Sequence, residues 1–220
     1  MSLFLRHFFL FSFIFAGMCA HWTSEWNDVV FSDEKVFTSV PTSRMRVKRS
    51  RGERYEDRFC TNNNHQTSVS VNVWGFVAHG FGVRVFCAGP NFDAEKYISC
   101  LRENFVQTHP ALARRIFLQD NAPFHSTKEV KRFFRQNQLK VMKIAPQSSD
   151  LNITENVWSL ADRKLSHFLL DNYINRPEDL FEKVKEICES LPVSLTNSLF
   201  ASMPKRVKEV REKRGKATHY

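Results

Sequence analysis

The chain has 220 residues, enough for one domain with a sizeable core. It is 42% hydrophobic and 25% charged, which excludes an intrinsically disordered chain. Lys and Arg outnumber Asp and Glu by 32 to 23, a formal charge of +9 with a pI near 9.5. That is the electrostatic footprint of a nucleic-acid binder, although charge alone also fits a basic protein without such a partner.

The first twenty residues stand apart. Arg6 and His7 precede an apolar run, Phe8 to Met18, that ends at Cys19 and Ala20. This has the shape of a secretory signal peptide and falls short of the ~20 residues of a spanning helix; a chance hydrophobic leader is the alternative. The expectation is that residues 1–20 stay out of the core of a domain spanning 21–220.

Val29-Val30-Phe31 runs into Ser32-Asp33-Glu34-Lys35-Val36-Phe37 as a first buried strand. Residues 44–58 lack apolar periodicity and carry seven basic residues against three acidic ones, a net of +4, which reads as a loop or a long hairpin arm. Thr67 to Trp74 alternates strictly and predicts a half-buried strand. Gly80 and Gly82 mark a turn, and Val83 to Phe86 returns as the partner strand.

Asp93 to Gln107 reads as a helix with Tyr97, Leu101 and Phe105 on one face. Arg115 to Gln119 is a short strand leading into Asp120. Ser126-Thr127-Lys128-Glu129 has capping-box spacing and should open a helix to about Asn137. Val141 to Ile144 is the next strand, a polar loop follows, and a helix begins near Thr154. Another amphipathic helix follows Pro177. The tail from Pro204 holds seven basic and two acidic residues, a net of +5.

The early hairpin implies antiparallel strands, and the later strand–helix–strand links imply parallel ones. The expected fold is α/β, a mixed five-stranded sheet flanked by helices. No two of the five cysteines form a Cys-x-x-Cys pair, so they read as reduced, mostly buried thiols rather than zinc ligands or a disulfide scaffold.

Three acids mark the chemistry. Asp33 lies in the first strand, Asp120 closes the fourth, and Glu155 opens the helix after the fifth. Hard divalent cations take carboxylate oxygens, and magnesium uses few protein ligands. Two such ions about 3.5–4 Å apart clamp the attacking and leaving oxygens of a phosphoryl transfer. Each acid also has a plainer reading. Asp120-Asn121 fits a turn, Glu155 fits a first-turn helix acid, and Asp33 fits an ion pair with Lys35.

The segments Val-Val-Phe-Ser-Asp-Glu-Lys (29–35), Leu-Gln-Asp-Asn-Ala-Pro-Phe-His (118–125) and Gln-Ser-Ser-Asp-Leu-Asn-Ile-Thr-Glu-Asn-Val-Trp (147–158) resemble the three signature segments of the Tc/mariner superfamily of DDE transposases. In one branch 34 residues separate the second acid from the glutamate, and 34 residues lie between Asp120 and Glu155 here. The resemblance implies a ribonuclease H-like fold and metal-dependent DNA cleavage and strand transfer. It implies Asp33, Asp120 and Glu155 as catalytic ligands of two Mg2+ ions, with Mn2+ as substitute. Asn121 and His125 would flank the site in a positioning role, against the alternatives of a turn residue and a capping or core histidine. Arg44, Arg46, Lys48, Arg49, Arg51 and Arg54 in the arm, with Lys205 and Arg206 in the tail, would contact DNA. The implied partners are double-stranded DNA and a second copy of the chain assembled on it, with no small-molecule substrate, in the nucleus.

The sequence departs from the family where Ser149 and Ile153 replace prolines, and the apolar leader stands where helix-turn-helix modules are expected. DNA binding would then be largely without sequence preference. The competing reading is a non-catalytic relic that keeps the fold and basic surface and is secreted. Asn152-Ile153-Thr154 is an N-glycosylation acceptor, and a glycan there would obstruct Glu155.

Overall fold

The computed structural model describes residues 3–40, 68–144, 148–216 and 218. Five strands form one sheet: β1 (Val29–Thr38), β2 (Ser70–Ala78), β3 (Gly82–Cys87), β4 (Ile116–Gln119) and β5 (Lys140–Lys143). Their spatial order is β3-β2-β1-β4-β5. The hairpin β2–β3 and the pair β1–β2 are antiparallel, whereas β4 lies parallel to β1 and β5 parallel to β4. All five strands form where residue patterning places them, with the expected directions. The arm at 44–58, with its six candidate DNA contacts, lies outside the described residues.

Alternation along β1 sends successive side chains to opposite faces. Val29, Phe31 and Phe37 join one core, while Val30 joins the other. The second core is closed by α2 (Ala94–Leu101), which continues through a π-helical turn at Arg102–Val106, by α3 (Pro110–Ala113) and by α4 (Lys128–Gln136). Asp93 caps α2 by accepting from the N–H groups of Glu95 and Lys96. For α4 the cap is Thr127 rather than Ser126: its Oγ1 accepts from Val130 N–H, and residues 123–126 form a separate 3-10 turn.

The first core is closed by α5 (Ile153–Phe168), α6 (Pro177–Glu189) and α7 (Val193–Glu212). Asn152 caps α5 through Thr154 N–H and is itself buried. The glycosylation reading is corrected here, because a glycan on a buried capping side chain does not fit the folded domain.

Two further expectations are corrected. The leader packs into the core: it forms α1 (Leu3–Met18), which runs against α7, and Phe15, Ala16 and Cys19 are buried in the first core. Ser12 Oγ lies 2.6 Å from Ser148 Oγ. Gly215 sits past the end of α7 with φ +81°, where any side chain would collide with the Phe9 carbonyl. The opposite face of α1 leaves Leu10, Phe11, Phe13, Ile14 and Met18 exposed. A hydrophobic leader next to an unfilled apolar helix face is buried for the same reason as any core helix. No helix among the described residues is long and apolar enough to cross a membrane.

The basic tail is likewise not free. Residues 204–212 are the second half of α7, with Met203, Arg206, Val207 and Val210 facing inward. Arg206, expected to contact DNA, is 1% exposed. Its guanidinium donates to the Asp150 carbonyl and to Asn156 Oδ1, both at 2.8 Å, and its Nε donates to Ser202 Oγ at 2.9 Å. It holds the turn before α5 against α7. Lys205 is exposed, as expected.

Candidate active site

The site forms where the two central parallel strands meet α5. Phe31 on β1 is opposite Leu118 on β4, and two residues further along each chain stand Asp33 and Asp120. Asp33 shares the face of Phe31 and Phe37, so its carboxylate turns toward α5. Its Oδ2 accepts from the indole Nε1–H of Trp158 at 3.1 Å; Thr154 Oγ1 lies 3.3 Å away, with its single proton shared with the closer Asn152 Oδ1 at 2.6 Å. Across the sheet Asp33 pairs with Gly75. A Cβ there would stand 2.7 Å from Trp158 Cη2 and 2.9 Å from the Arg84 carbonyl oxygen. Absence of a side chain at Gly75 thus lets the indole lie over the strand and reach Asp33.

Glu155 is the exposed residue of the otherwise largely buried first turn of α5, one residue after Thr154. Its charge bears on Asp33. Burial first, and then the charges of Glu155 and Glu34, push the Asp33 carboxyl up from 3.8 to about 7. The ion pair of Lys35 is formed with Asp162 of α5 at 3.1 Å, so it does not neutralise Asp33.

Asp120 follows β4 and opens a tight turn. Its Oδ1 accepts from Ala122 N–H at 2.8 Å and lies 2.8 Å from His125 Nδ1. Burial works to raise the Asp120 carboxyl, but the His125 and Ala122 hydrogen bonds and the charges of His125 and Lys143 hold it below 3.8. His125 is 2% exposed and turns its other nitrogen, Nε2, to Glu34 Oε1 at 3.2 Å. Burial disfavours its charged form, but the hydrogen bonds to Asp120 and Glu34 outweigh this and raise it to about 9. Asn121 points away from the carboxylates: its Nδ2 donates to the Ile144 carbonyl at 2.5 Å, pinning the turn to the end of β5.

The structure therefore brings Asp33 and Glu155 into electrostatic contact and places Asp120 at the end of the neighbouring strand. The candidate donor set of Asp33, Asp120 and Glu155 is gathered less tightly than Glu34, Asp120 and His125, whose ligand atoms lie within 4.8 Å of one another. It consists of carboxylate oxygens, two of its acids repel each other, and no cation is paired with Asp33 among the described residues. Four contributors were not singled out from sequence. In sequence Thr154 only marks the start of a helix, Trp158 lies on that helix, Gly75 follows the second strand's alternating run, and Glu34 is a strand neighbour of Asp33. The alternation of β1 puts Glu34 on the opposite face from Asp33, and this was the only available signal that the two acids serve different partners.

Residues 28–189 match the family of DDE superfamily endonucleases. The Tcb2 transposase of a Caenorhabditis briggsae transposable element is 26% identical over 214 residues, covering 91% of this chain and 73% of the relative. The Tcb1 transposase of the same organism is 29% identical over 200 residues, covering 89% and 71%. Among solved structures, the catalytic domain of Mos1 mariner transposase superposes with a TM-score of 0.67 at 16% identity, covering all of this chain and 98% of that one. The chain of the Mos1 strand-transfer complex gives 0.76 at 18% identity, and here the match spans 97% of this chain but only 63% of the other. The fold is thus ribonuclease H-like, as the mixed sheet and its two helical layers suggest. With most of its length matched to one family and Tc-type transposases aligning along about nine-tenths of it, the chain belongs to the DDE superfamily endonucleases as a Tc/mariner-type catalytic domain.

Proposed function

We propose that this domain cleaves and joins DNA strands by metal-dependent phosphoryl transfer, with Asp33, Asp120 and Glu155 as the ligands. The observation that carries the reading is the electrostatic conflict at Asp33, a desolvated carboxylate facing Glu155 inside a DDE family domain. Two Mg2+ ions, with Mn2+ as substitute, would activate the attacking oxygen and stabilise the leaving one. The chain's own residues do the rest. Trp158 and Thr154 orient the Asp33 carboxylate, the Ala122 amide and His125 orient Asp120, and Asn121 holds the turn that carries it.

Duplex DNA is the proposed partner, gripped through phosphates by Arg44, Arg46, Lys48, Arg49, Arg51 and Arg54 and by the exposed Lys205. The Mos1 structures include a paired-end complex with a left transposon end, which supports assembly on DNA; a pair of copies there, and action in the nucleus, are proposed with it. The packing of α1 on α7 supports retention of the leader with the domain, against its removal on secretion. The relic reading is disfavoured by the complete set of three acids with their supporting hydrogen bonds.

The test is nicking of supercoiled DNA by the full chain with Mg2+ or Mn2+, beside a Glu155→Gln variant. The parent should cut only when metal is present. The variant should bind DNA as the parent does and fail to cut. Equal cutting by both would overturn the assignment of Glu155, and a folded, DNA-bound parent inert with either metal would overturn the enzymatic reading.

A further inference from the structure

Glu34, His125 and Asp120 form a connected chain. His125 Nε2 lies 3.2 Å from Glu34 Oε1, and Nδ1 lies 2.8 Å from Asp120 Oδ1. The Nε2 contact with Glu34 is a hydrogen bond, whereas the Nδ1 contact with Asp120 is a close ion pair whose N–H is not aligned as a hydrogen bond. Two aromatic rings bound the imidazole and leave its rotation to be fixed by its polar contacts. Tyr97 lies against its ring at a centroid distance of 4.4 Å, and Phe124 meets it edge-on at 4.2 Å. Tyr97 is fixed in turn by its hydroxyl, which donates to Gln119 Oε1 at 2.6 Å. Gln119 is the last residue of β4, immediately before Asp120.

The consequence falls on the Asp120 carboxylate. Oδ1 is occupied by the Ala122 amide and by His125, whereas Oδ2 has no partner among the described residues. The arrangement locks the carboxyl group with one oxygen committed to protein and the other presented outward. Without Glu34, His125 would keep its ring contacts but lose the anchor on Nε2, and the ring could pivot off Asp120.

We infer that Glu34 is a positioning residue: acting through His125, it fixes the Asp120 carboxylate so that Oδ2 is presented to a divalent cation. This rests on the proposed role of Asp120 as a ligand. It adds a fourth acid that is not itself a ligand, and makes Tyr97 and Phe124 the clamp that keeps His125 in line. Groups that hold a metal ligand by hydrogen bonds typically change metal affinity 10–100-fold when removed.

The test measures Mn2+ binding to the full chain by calorimetry at neutral pH, with thermal melting as a check on folding. Glu34→Ala should weaken Mn2+ binding about tenfold or more while the fold persists. Glu34→Gln keeps an acceptor for Nε2–H and loses only the charge, so it should bind within about threefold of the parent. His125→Ala should weaken binding comparably, and adding Glu34→Ala to it should change little, because both act on one path. If Glu34→Ala does not fold, Glu34→Asp serves in its place, since it is one methylene too short to reach the ring.

A Glu34→Ala variant that binds Mn2+ like the parent overturns the inference. So does Glu34→Gln losing as much affinity as Glu34→Ala, which would make the effect one of charge alone. A parent that binds no Mn2+ overturns the proposed function itself, and the role of Glu34 with it. A parent that binds beside an unaffected Glu34→Ala overturns only the inference.

Discussion

The Asp33→Asn substitution probes the cost of gathering the acids. In metal-free protein the Asp33 carboxyl titrates at about 7 against an ordinary 3.8, because burial and Glu155 disfavour its ionised form. The folded state therefore holds this proton more tightly than the unfolded state does. Stability contributed by the protonated carboxyl is present below the ordinary value and is lost as pH rises toward about 7, after which the loss is complete. At about 1.4 kcal/mol per tenfold change in proton affinity the full cost is roughly 4 kcal/mol, and solvent reaching the half-open carboxylate reduces it to roughly 2–4 kcal/mol. Asparagine keeps an acceptor for Trp158 Nε1–H and Thr154 Oγ1 and never ionises. Urea denaturation in chelator should show Asp33→Asn more stable than the parent by roughly 2–4 kcal/mol above neutrality, with the gap closing near pH 4. Mn2+ should then stabilise the parent far more than the variant. His125, raised to about 9, contributes stability that is present below about 6.5 and is lost as pH climbs to about 9. It does so in both proteins, so the difference between them isolates Asp33. Parallel stability–pH curves for the two proteins would refute the conflict at Asp33 and remove the main support for a cation there.

Phe15→Ala should destabilise by about 3 kcal/mol or more, as expected for a buried aromatic, whereas Phe11→Ala, at a position 50% exposed, should cost under about 1 kcal/mol in the same denaturation assay. Gly75→Ala should cost about 1–3 kcal/mol and lower DNA cleavage further than that loss explains, because it displaces the indole that holds Asp33; crystallography or tryptophan fluorescence would report the shift. Arg206→Ala should destabilise by about 2–3 kcal/mol by removing a buried side chain and leaving three part-buried acceptors without their donor, and Lys205→Ala should leave stability unchanged while weakening DNA binding at low salt. Neutralising Arg46, Lys48, Arg49 and Arg51 together should flatten the salt dependence of DNA binding by about 0.9 log–log units for each phosphate the arm ceases to neutralise, with no change in cooperativity of unfolding.

The strands and most helices were legible because period-2 and period-3.6 patterning is local: Thr67 to Trp74 must alternate wherever it lies, and Tyr97, Leu101 and Phe105 must share a face. The three acids were legible as an ordered set with a characteristic spacing. The hydrogen bonds that orient them were not. Trp158 reads as a core aromatic until Gly75, more than eighty residues earlier, is seen to leave room beneath it. Arg206 reads as a surface cation because nothing in a basic run says which of its members faces inward.

The sequence by itself determined the five strands with their directions and the helices α2, α4, α5 and α6, and it offered Asp33, Asp120 and Glu155 as candidates, since these depend on residues close in the chain or on a family spacing. Only the tertiary structure decided that α1 lies in the groove against α7, that Asp33 and Glu34 serve opposite faces of β1, and that His125 ties Glu34 to Asp120. Burial and hydrogen bonding are properties of what stands opposite a residue, and in this chain the opposing groups come from far along the sequence: Glu34 meets His125 across 91 positions, and α1 at one end of the chain meets α7 at the other.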